Sequence, residues 1–305
     1  MNDAHCHFFS TPFFAALGRQ LKGADERAPH ETALAKLGWD APGTAEALAD
    51  RWVAELDRAG VARAALIASV PGDAGSVAAA VARHPRRLVG FFMDDPTQPE
   101  AATRTATALN SGGLRGVCLF PAMHRFAIDD DRVRRLFDVA ATRPGTVIFV
   151  HCGVLTVGVR KKLGLPSPFD IRRGNPLDLH AIAAAYPTVP IIIPHFGAGL
   201  FREALMVADL CANVWLDTSS SNGWIKYHQG LTLSAVFQQA LSVVGPDRLL
   251  FGSDSSFFPR GWVKDVLEQQ SSALDKIGAT AEEREKIFGG NFDRLFPLDG
   301  QGRAR

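Results

Sequence analysis

Apolar residues in this chain fall into two alternating kinds of segment. Short runs, largely apolar and rich in β-branched residues, recur along its length: "NDAHCHFF", "AALIASV", "LVGFFMD", "GVCLFPA", "TVIFVHC", "PIIIPHF", "VWLDTS" and "RLLFGSD". Each is about as long as a β-strand. Most are apolar throughout rather than alternating, as strands buried on both faces are. Between them lie longer stretches with helical spacing. "TAEALADRWVAELDRAG" puts Ala47, Leu48, Trp52 and Leu56 on one stripe and stops at Gly60. "DDDRVRRLFDVAA" starts acidic and spaces Val133, Leu136, Phe137 and Ala140 as one helix face. In "NPLDLHAIAAAYP", Pro176 directly after Asn175 is a helix opening. A last helical stretch, "AEEREKIFGGNFDRLF", comes near the end.

Strand then helix, eight times over, is the pattern of a parallel sheet. In 305 residues it predicts one α/β domain over 1–305, a single closed (β/α)8 barrel with an insertion after strand one. An open doubly wound sheet is the alternative. It would carry a Gly-rich phosphate loop after its first strand, and "HCHFFSTPFF" has none. The insertion, residues about 12 to 43, mixes Gly, Pro and charge and is expected at the rim of a site or as a lid.

Composition changes this picture little but excludes a good deal. Hydrophobic residues make up 47%, enough for a large core, and 33 basic against 32 acidic residues leave a net charge of +1. That balance carries no electrostatic footprint for nucleic acid or for an anionic membrane. No apolar run reaches the roughly 18 residues of a bilayer span. A histidine at position 5 leaves no room for a signal peptide, so a cytoplasmic protein is expected. Cys6, Cys118, Cys152 and Cys211 fit no zinc-finger or disulfide spacing and read as small buried hydrophobes.

The candidate chemistry sits at the carboxyl ends of the strand runs. His5 and His7 lie in the first, His151 ends the fifth, His195 the sixth and Asp254 the eighth. Residues i and i+2 of a strand share a face, so His5 and His7 point the same way, into the barrel. Any one of these histidines alone reads as a satisfied core residue. Together they occupy the one end of a barrel where active sites form. Four imidazoles and one carboxylate converging there are the donor set of a divalent metal. His30, His84 and His180 fall in the insertion, between elements and on a helix. His124 and His228 follow strands four and seven, within reach of the site or in surface loops.

"DAHCH", "FVHCG", "PHFGAG", "LLFGSDSSFF" and "IFGGNFDRLF" resemble, in order, signatures of the amidohydrolase superfamily. More narrowly they resemble the amidohydrolase-related group that includes 2-amino-3-carboxymuconate-6-semialdehyde decarboxylase. The resemblance implies one divalent ion, zinc first, held by His5, His7, His151 and Asp254. His195 would stand beside it as acid, base or polarising group. Strand four, "GVCLFPA", lacks the bridging lysine or glutamate of binuclear relatives, which implies a single metal. Manganese, iron or cobalt would suit the same donors. Members of the group are often dimers, so a homodimer is an open expectation.

Two chemistries follow. A metal-activated water would attack the carbonyl of an amide, lactone or ester, with Asp254 or His195 taking its proton. Asp254 would then serve as ligand, base or both. Alternatively the same set would hold an aromatic or muconate-type acid while carbon dioxide leaves. A third reading is a degenerate barrel without activity, against which stands the full five-residue set. "VGVRKKLGLPSPFDIRRGNP" follows His151 and places Arg160, Lys161, Lys162, Arg172 and Arg173 in a loop at the site's end of the barrel. Guanidinium groups bind carboxylates bidentately, so Arg160, Arg172 and Arg173 predict a small anionic substrate. A solvated basic loop is the other reading. Phe8, Phe9, Trp224, Phe257 and Phe258 are candidates for an aromatic wall or for core packing, and Phe257 with His124 completes the candidate substrate contacts.

Overall fold

The computed structural model describes residues 1–110 and 112–298, so 299–305 of the expected 1–305 domain lie outside the described residues. Eight strands pair in chain order, every neighbour parallel: β1 (Asn2–Phe8), β2 (Arg63–Ala68), β3 (Leu88–Met93), β4 (Leu114–Leu119), β5 (Val147–Val150), β6 (Ile191–Ile193), β7 (Val214–Asp217) and β8 (Leu249–Leu250). Six fall within the eight apolar runs, while β2 begins one residue before its run and β4 two residues before. The sheet curls until its ends meet. Ala4 N–H donates to the Phe251 carbonyl at 2.8 Å, Asp254 N–H to His5 at 2.9 Å and His7 N–H to Ser255 at 2.7 Å. Helices alternate with the strands, giving a nearly closed (β/α)8 barrel.

Side chains sort by strand parity into two apolar layers. Ile67, Phe91, Cys118, Phe149 and Ile192 fill the barrel, while Leu66, Val117, Ile148 and Ile193 pack outward under the helices. Burying one such side chain is worth about 1.5–3 kcal/mol, which is why both faces of these strands are apolar. β1 carries an extra residue: Asp3 pairs with Ala64, but Cys6 pairs with Leu66. Past that bulge His5 and His7 face inward, as their spacing predicts. The His5 ring lies 5.0 Å from that of Phe149, an inner-layer residue.

The helix Ala45–Ala59 is capped by the Thr44 side chain and stopped by a left-handed Gly60. Leu48, Trp52 and Leu56 are buried as expected, but Ala47 faces solvent and Ala49 takes its place on the stripe. Helix Asp131–Ala141 buries the four predicted positions. The insertion forms two helices, Thr11–Gly18 and Pro29–Leu37. Near the end, one expected helix is interrupted by a wide π turn, Lys286–Gly290, between Ala281–Glu285 and Asn291–Leu295. The Ile287 carbonyl accepts the Phe251 N–H at 3.0 Å, so the turn ties this segment to the end of β8. Phe292 and Phe296 then plug the amino-terminal end of the barrel, beside Arg63 at the start of β2. All four cysteines are free and buried. Among the described residues no helix is long and apolar enough to cross a membrane.

Candidate metal centre and its cleft

The carboxyl ends of β1, β5, β6 and β8 bring His5, His7, His151, His195 and Asp254 to one rim. The orientation of each imidazole is set by what its Nδ1 touches. His5 Nδ1–H donates to Asp217 Oδ2 at 2.7 Å. His7 Nδ1 lies 2.8 Å from Ser69 Oγ, and that hydroxyl gives its own proton to the Ile67 carbonyl at 3.0 Å. Ser69 oxygen therefore accepts, and His7 Nδ1 carries the hydrogen. His195 Nδ1 faces the Ser219 hydroxyl at 2.8 Å and the Ser219 carbonyl at 3.3 Å. A carbonyl only accepts, so this nitrogen too is the donor. In the neutral rings, all three Nε2 atoms are left with bare lone pairs.

Those lone pairs face one another and a carboxylate. His7 Nε2 is 3.3 Å from His5 Nε2 and 3.0 Å from Asp254 Oδ1; His5 Nε2 is 3.6 Å from the same oxygen. His5, His195 and Asp254 each offer a ligand atom within 4.8 Å of the others. His151 lies beside them, its ring 5.2 Å from His195 and stacked on Phe120, with Nδ1 buried and without a protein partner. Clustered acceptors with no donor between them repel unless a cation intervenes. Nitrogen and oxygen donors held by outer hydrogen bonds are the set that divalent metals take. The residues present fit such an ion.

Electrostatics agree. Burial, reinforced by the His195 and His5 charges, holds the His151 pKa well below its ordinary value, and burial lowers that of His195. Both stay neutral. For His5, burial is outweighed by the Asp217 charge and hydrogen bond, and its pKa rises. Burial would raise that of Asp254, but the close His7 ring and the other surrounding imidazoles hold it far below the usual carboxylate range.

The backbone here is strained. His195, Phe196, Gly197, Ala198 and Gly199 run consecutively at φ 56°, 52°, 83°, 43° and 98°, and Asp254 sits at 57°. Each non-glycine residue in this left-handed region costs about 1–2 kcal/mol. The turn is held from outside. Val154 N–H donates to Ala198 at 2.8 Å, and His228 Nε2–H donates to Gly199 at 3.0 Å. A Cβ at Gly153 would lie 2.2 Å from the Gly197 carbonyl, so only glycine lets the loop after β5 approach.

A cleft opens over the centre in two lobes. The first, about 360 Å³, is walled by Phe9, Phe13, Trp39, Phe120 and Leu155, with Lys162 and Arg260 as its cations. The second, about 260 Å³, shares His151, Thr156, His195 and Asp254 and adds Ser220, Ser221, Trp224, Lys226 and Tyr227. The insertion thus supplies Phe13 and Trp39 to the first wall.

Several expected substrate contacts lie elsewhere. Arg160 donates to Gln20 Oε1 at 2.9 Å and to the Pro166 carbonyl. On the helix Gly158–Leu163, two residues turn about 200°, so Lys162 faces Trp39 and the cleft while Arg160 points away. Arg172 pairs with Asp170 at 2.8 Å, and Arg173 lies 3.9 Å from the same carboxylate; neither lines a lobe. Phe257 packs on Trp52, and Phe8 and Phe258 are core. His124 stacks on Phe126 behind the cleft. Asp217, Ser219 and Ser69 went unsingled in the sequence. Their only signal was position, since each is a polar residue at or just past the end of an apolar run.

The structure defines a parallel barrel with an imidazole–carboxylate cluster at the carboxyl ends of its strands, a candidate metal site. The chain belongs to the amidohydrolase family, whose model matches residues 3–298. It is 32% identical over 137 residues, 40% of this chain and 38% of the relative, to 2-keto-4-carboxy-3-hexenedioate hydratase from Sphingobium sp.. The chain spans well under half the length of the curated relatives it matches. Among solved structures it resembles a probable 2-pyrone-4,6-dicarboxylic acid hydrolase from Acinetobacter baumannii with citric acid bound. That likeness has TM-score 0.61 and 17% identity, covering 97% of this chain and 99% of that one. It also resembles 5-carboxyvanillate decarboxylase from Novosphingobium aromaticivorans, complexed with manganese and 4-hydroxy-3-methoxy-5-nitrobenzoic acid. There the TM-score is 0.63 at 16% identity, with 96% and 94% covered.

Proposed function

We propose that this protein is a metal-dependent hydrolase of small carboxylic acids, cleaving an amide, lactone or ester next to one divalent ion. The observation that carries this reading is the locking of three imidazoles, by Asp217, Ser69 and Ser219, with bare nitrogens turned toward one carboxylate. His5, His7, His151 and Asp254 hold the ion, zinc first and manganese, iron or cobalt as alternatives. When bound, it acidifies water and polarises a carbonyl. His195, whose pKa burial lowers, accepts a proton at Nε2 while Ser219 keeps its Nδ1–H in place. Asp254 stays ionised and orients the reacting groups. The aromatic wall excludes water and stacks the flat part of the substrate, while Lys162 and Arg260 hold its carboxylate. The citrate and nitrobenzoate in the two similar structures support an acid as substrate.

A decarboxylase is the second reading. It is favoured by the apolar wall, which would desolvate a carboxylate beside the centre, and by the likeness to a decarboxylase. The test loads the protein with zinc or manganese. It offers carboxylated lactones and amides, then aromatic and muconate-type acids, and follows acid release and carbon dioxide. Carbon dioxide alone overturns the hydrolase. His195→Asn is expected to abolish turnover and spare the metal. Metal lost together with turnover makes His195 a ligand, as its place within the close trio allows.

A further inference from the structure

We propose that the second lobe is a subsite for a second carboxylate, with Lys226 as its counter-charge, so that the protein takes elongated diacids lying across the metal centre. This rests on the reading above, in which a first carboxylate lies in the aromatic lobe.

The two lobes share only His151, Thr156, His195 and Asp254. A molecule anchored in the first that extends past this shared floor enters the second. The linings differ in kind. Where the first lobe is walled by aromatic rings, the second is lined by Ser220, Ser221, Lys226 and Tyr227, residues that carry hydroxyls and an ammonium. Its one acid is Asp254, at the shared floor, and among the described residues Lys226 has no carboxylate partner. Lys226 Nζ instead lies 5.2 Å from the Tyr227 ring centroid. A cation without an acid, flanked by hydroxyl donors, is built to recognise an anion through charge-assisted hydrogen bonds.

The loop carrying those hydroxyls is preset. Ser220 and Asn222 sit at φ 70° and 51°. Trp224 Nε1–H donates to Asn222 Oδ1 at 3.1 Å, and Asn222 Nδ2–H donates to the Ser220 carbonyl at 3.3 Å. These bonds hold the loop in one conformation at the wall of the second lobe.

The test is calorimetric titration of the zinc-loaded full chain with glutarate, adipate, pimelate and suberate, each against the monoacid of equal carbon number. At least one diacid is expected to bind about tenfold or more tightly than its monoacid, the worth of one charge-assisted contact. Lys226→Met and Lys226→Gln should erase that advantage and leave monoacid binding within about twofold, while Lys226→Arg should keep it. The side chain is exposed, so these variants keep the fold. If no diacid outbinds its monoacid, or if the advantage survives Lys226→Met, the subsite does not exist. Turnover is read separately. A protein that binds diacids yet neither hydrolyses nor decarboxylates overturns the proposed function alone. Hydrolysis without a diacid advantage overturns only the subsite.

Discussion

His7 and Asp254 meet with Nε2 3.0 Å from Oδ1, and the neutral ring has no hydrogen to place between them. Its one proton is committed to Ser69 on the far side. Either the imidazole is protonated or a metal sits there, and the neighbouring Nε2 of His5 favours the metal. The purified protein is expected to hold close to one divalent ion per chain by elemental analysis. At a hundredfold excess over its dissociation constant, that ion adds about 2.7 kcal/mol of stability, several degrees of melting temperature for a domain of this size. Asp254→Asn keeps the shape and removes the charge, so the metal-dependent shift should vanish. A shift of unchanged size in the variant refutes the site.

Ser69 touches no ligand atom directed at the ion, yet it decides which His7 nitrogen is bare. Removing such an outer partner typically weakens metal binding about 10–100-fold. Ser69→Ala should show that loss in competition with a chromophoric chelator, with an unaltered metal-free melting curve. Unchanged affinity means that His7 finds its tautomer without the serine.

Gly252 backs the centre from behind. A Cβ there would lie 2.8 Å from Asp217 Oδ1 and 2.9 Å from the His5 Cβ. Overpacking of this kind costs about 1–3 kcal/mol. Gly252→Ala should lower the metal-free melting temperature and weaken metal binding together, because relief requires His5 or Asp217 to move. A variant as stable and as metal-avid as the parent contradicts this packing.

Burial lowers the pKa of His124 from its ordinary 6.5, outweighing the charges of Asp95 and Asp94. The unfolded chain takes up that proton near 6.5, and the folded chain only at lower pH. Stability is therefore full above about 6.5 and declines as pH falls toward the folded value. In chelator, His124→Gln should lose less stability than the parent between about pH 7.5 and 5.5, read as urea midpoints. Equal losses would show His124 to be solvated in the folded state.

Much of this could be read from residue order. Apolar runs set the strands, and strand ends in a parallel barrel share a rim. His5, His7, His151, His195 and Asp254 could therefore be placed together before any coordinates. What failed was side-chain direction on short irregular pieces. Arg160 and Lys162 lie on a helix of six residues whose facing is fixed by Trp39 and Gln20, each more than a hundred residues away in sequence. Arg172 and Arg173 were drawn to a local acid, Asp170. Asp217, Ser219 and Ser69 escaped because a polar residue at a strand end reads as a turn until its partner is known. The left-handed run at His195 was unreadable because three of its members are ordinary L-residues, kept in place by contacts from other loops.

The bonds that join β1 to the β8 end also order events during synthesis. His5 and His7 are synthesised well before residues 249–255, which emerge later and zip against them. The candidate metal site is thus completed late in translation. A chain stopped just before Asp254 would carry all eight strands yet lack the carboxylate that faces His5 and His7.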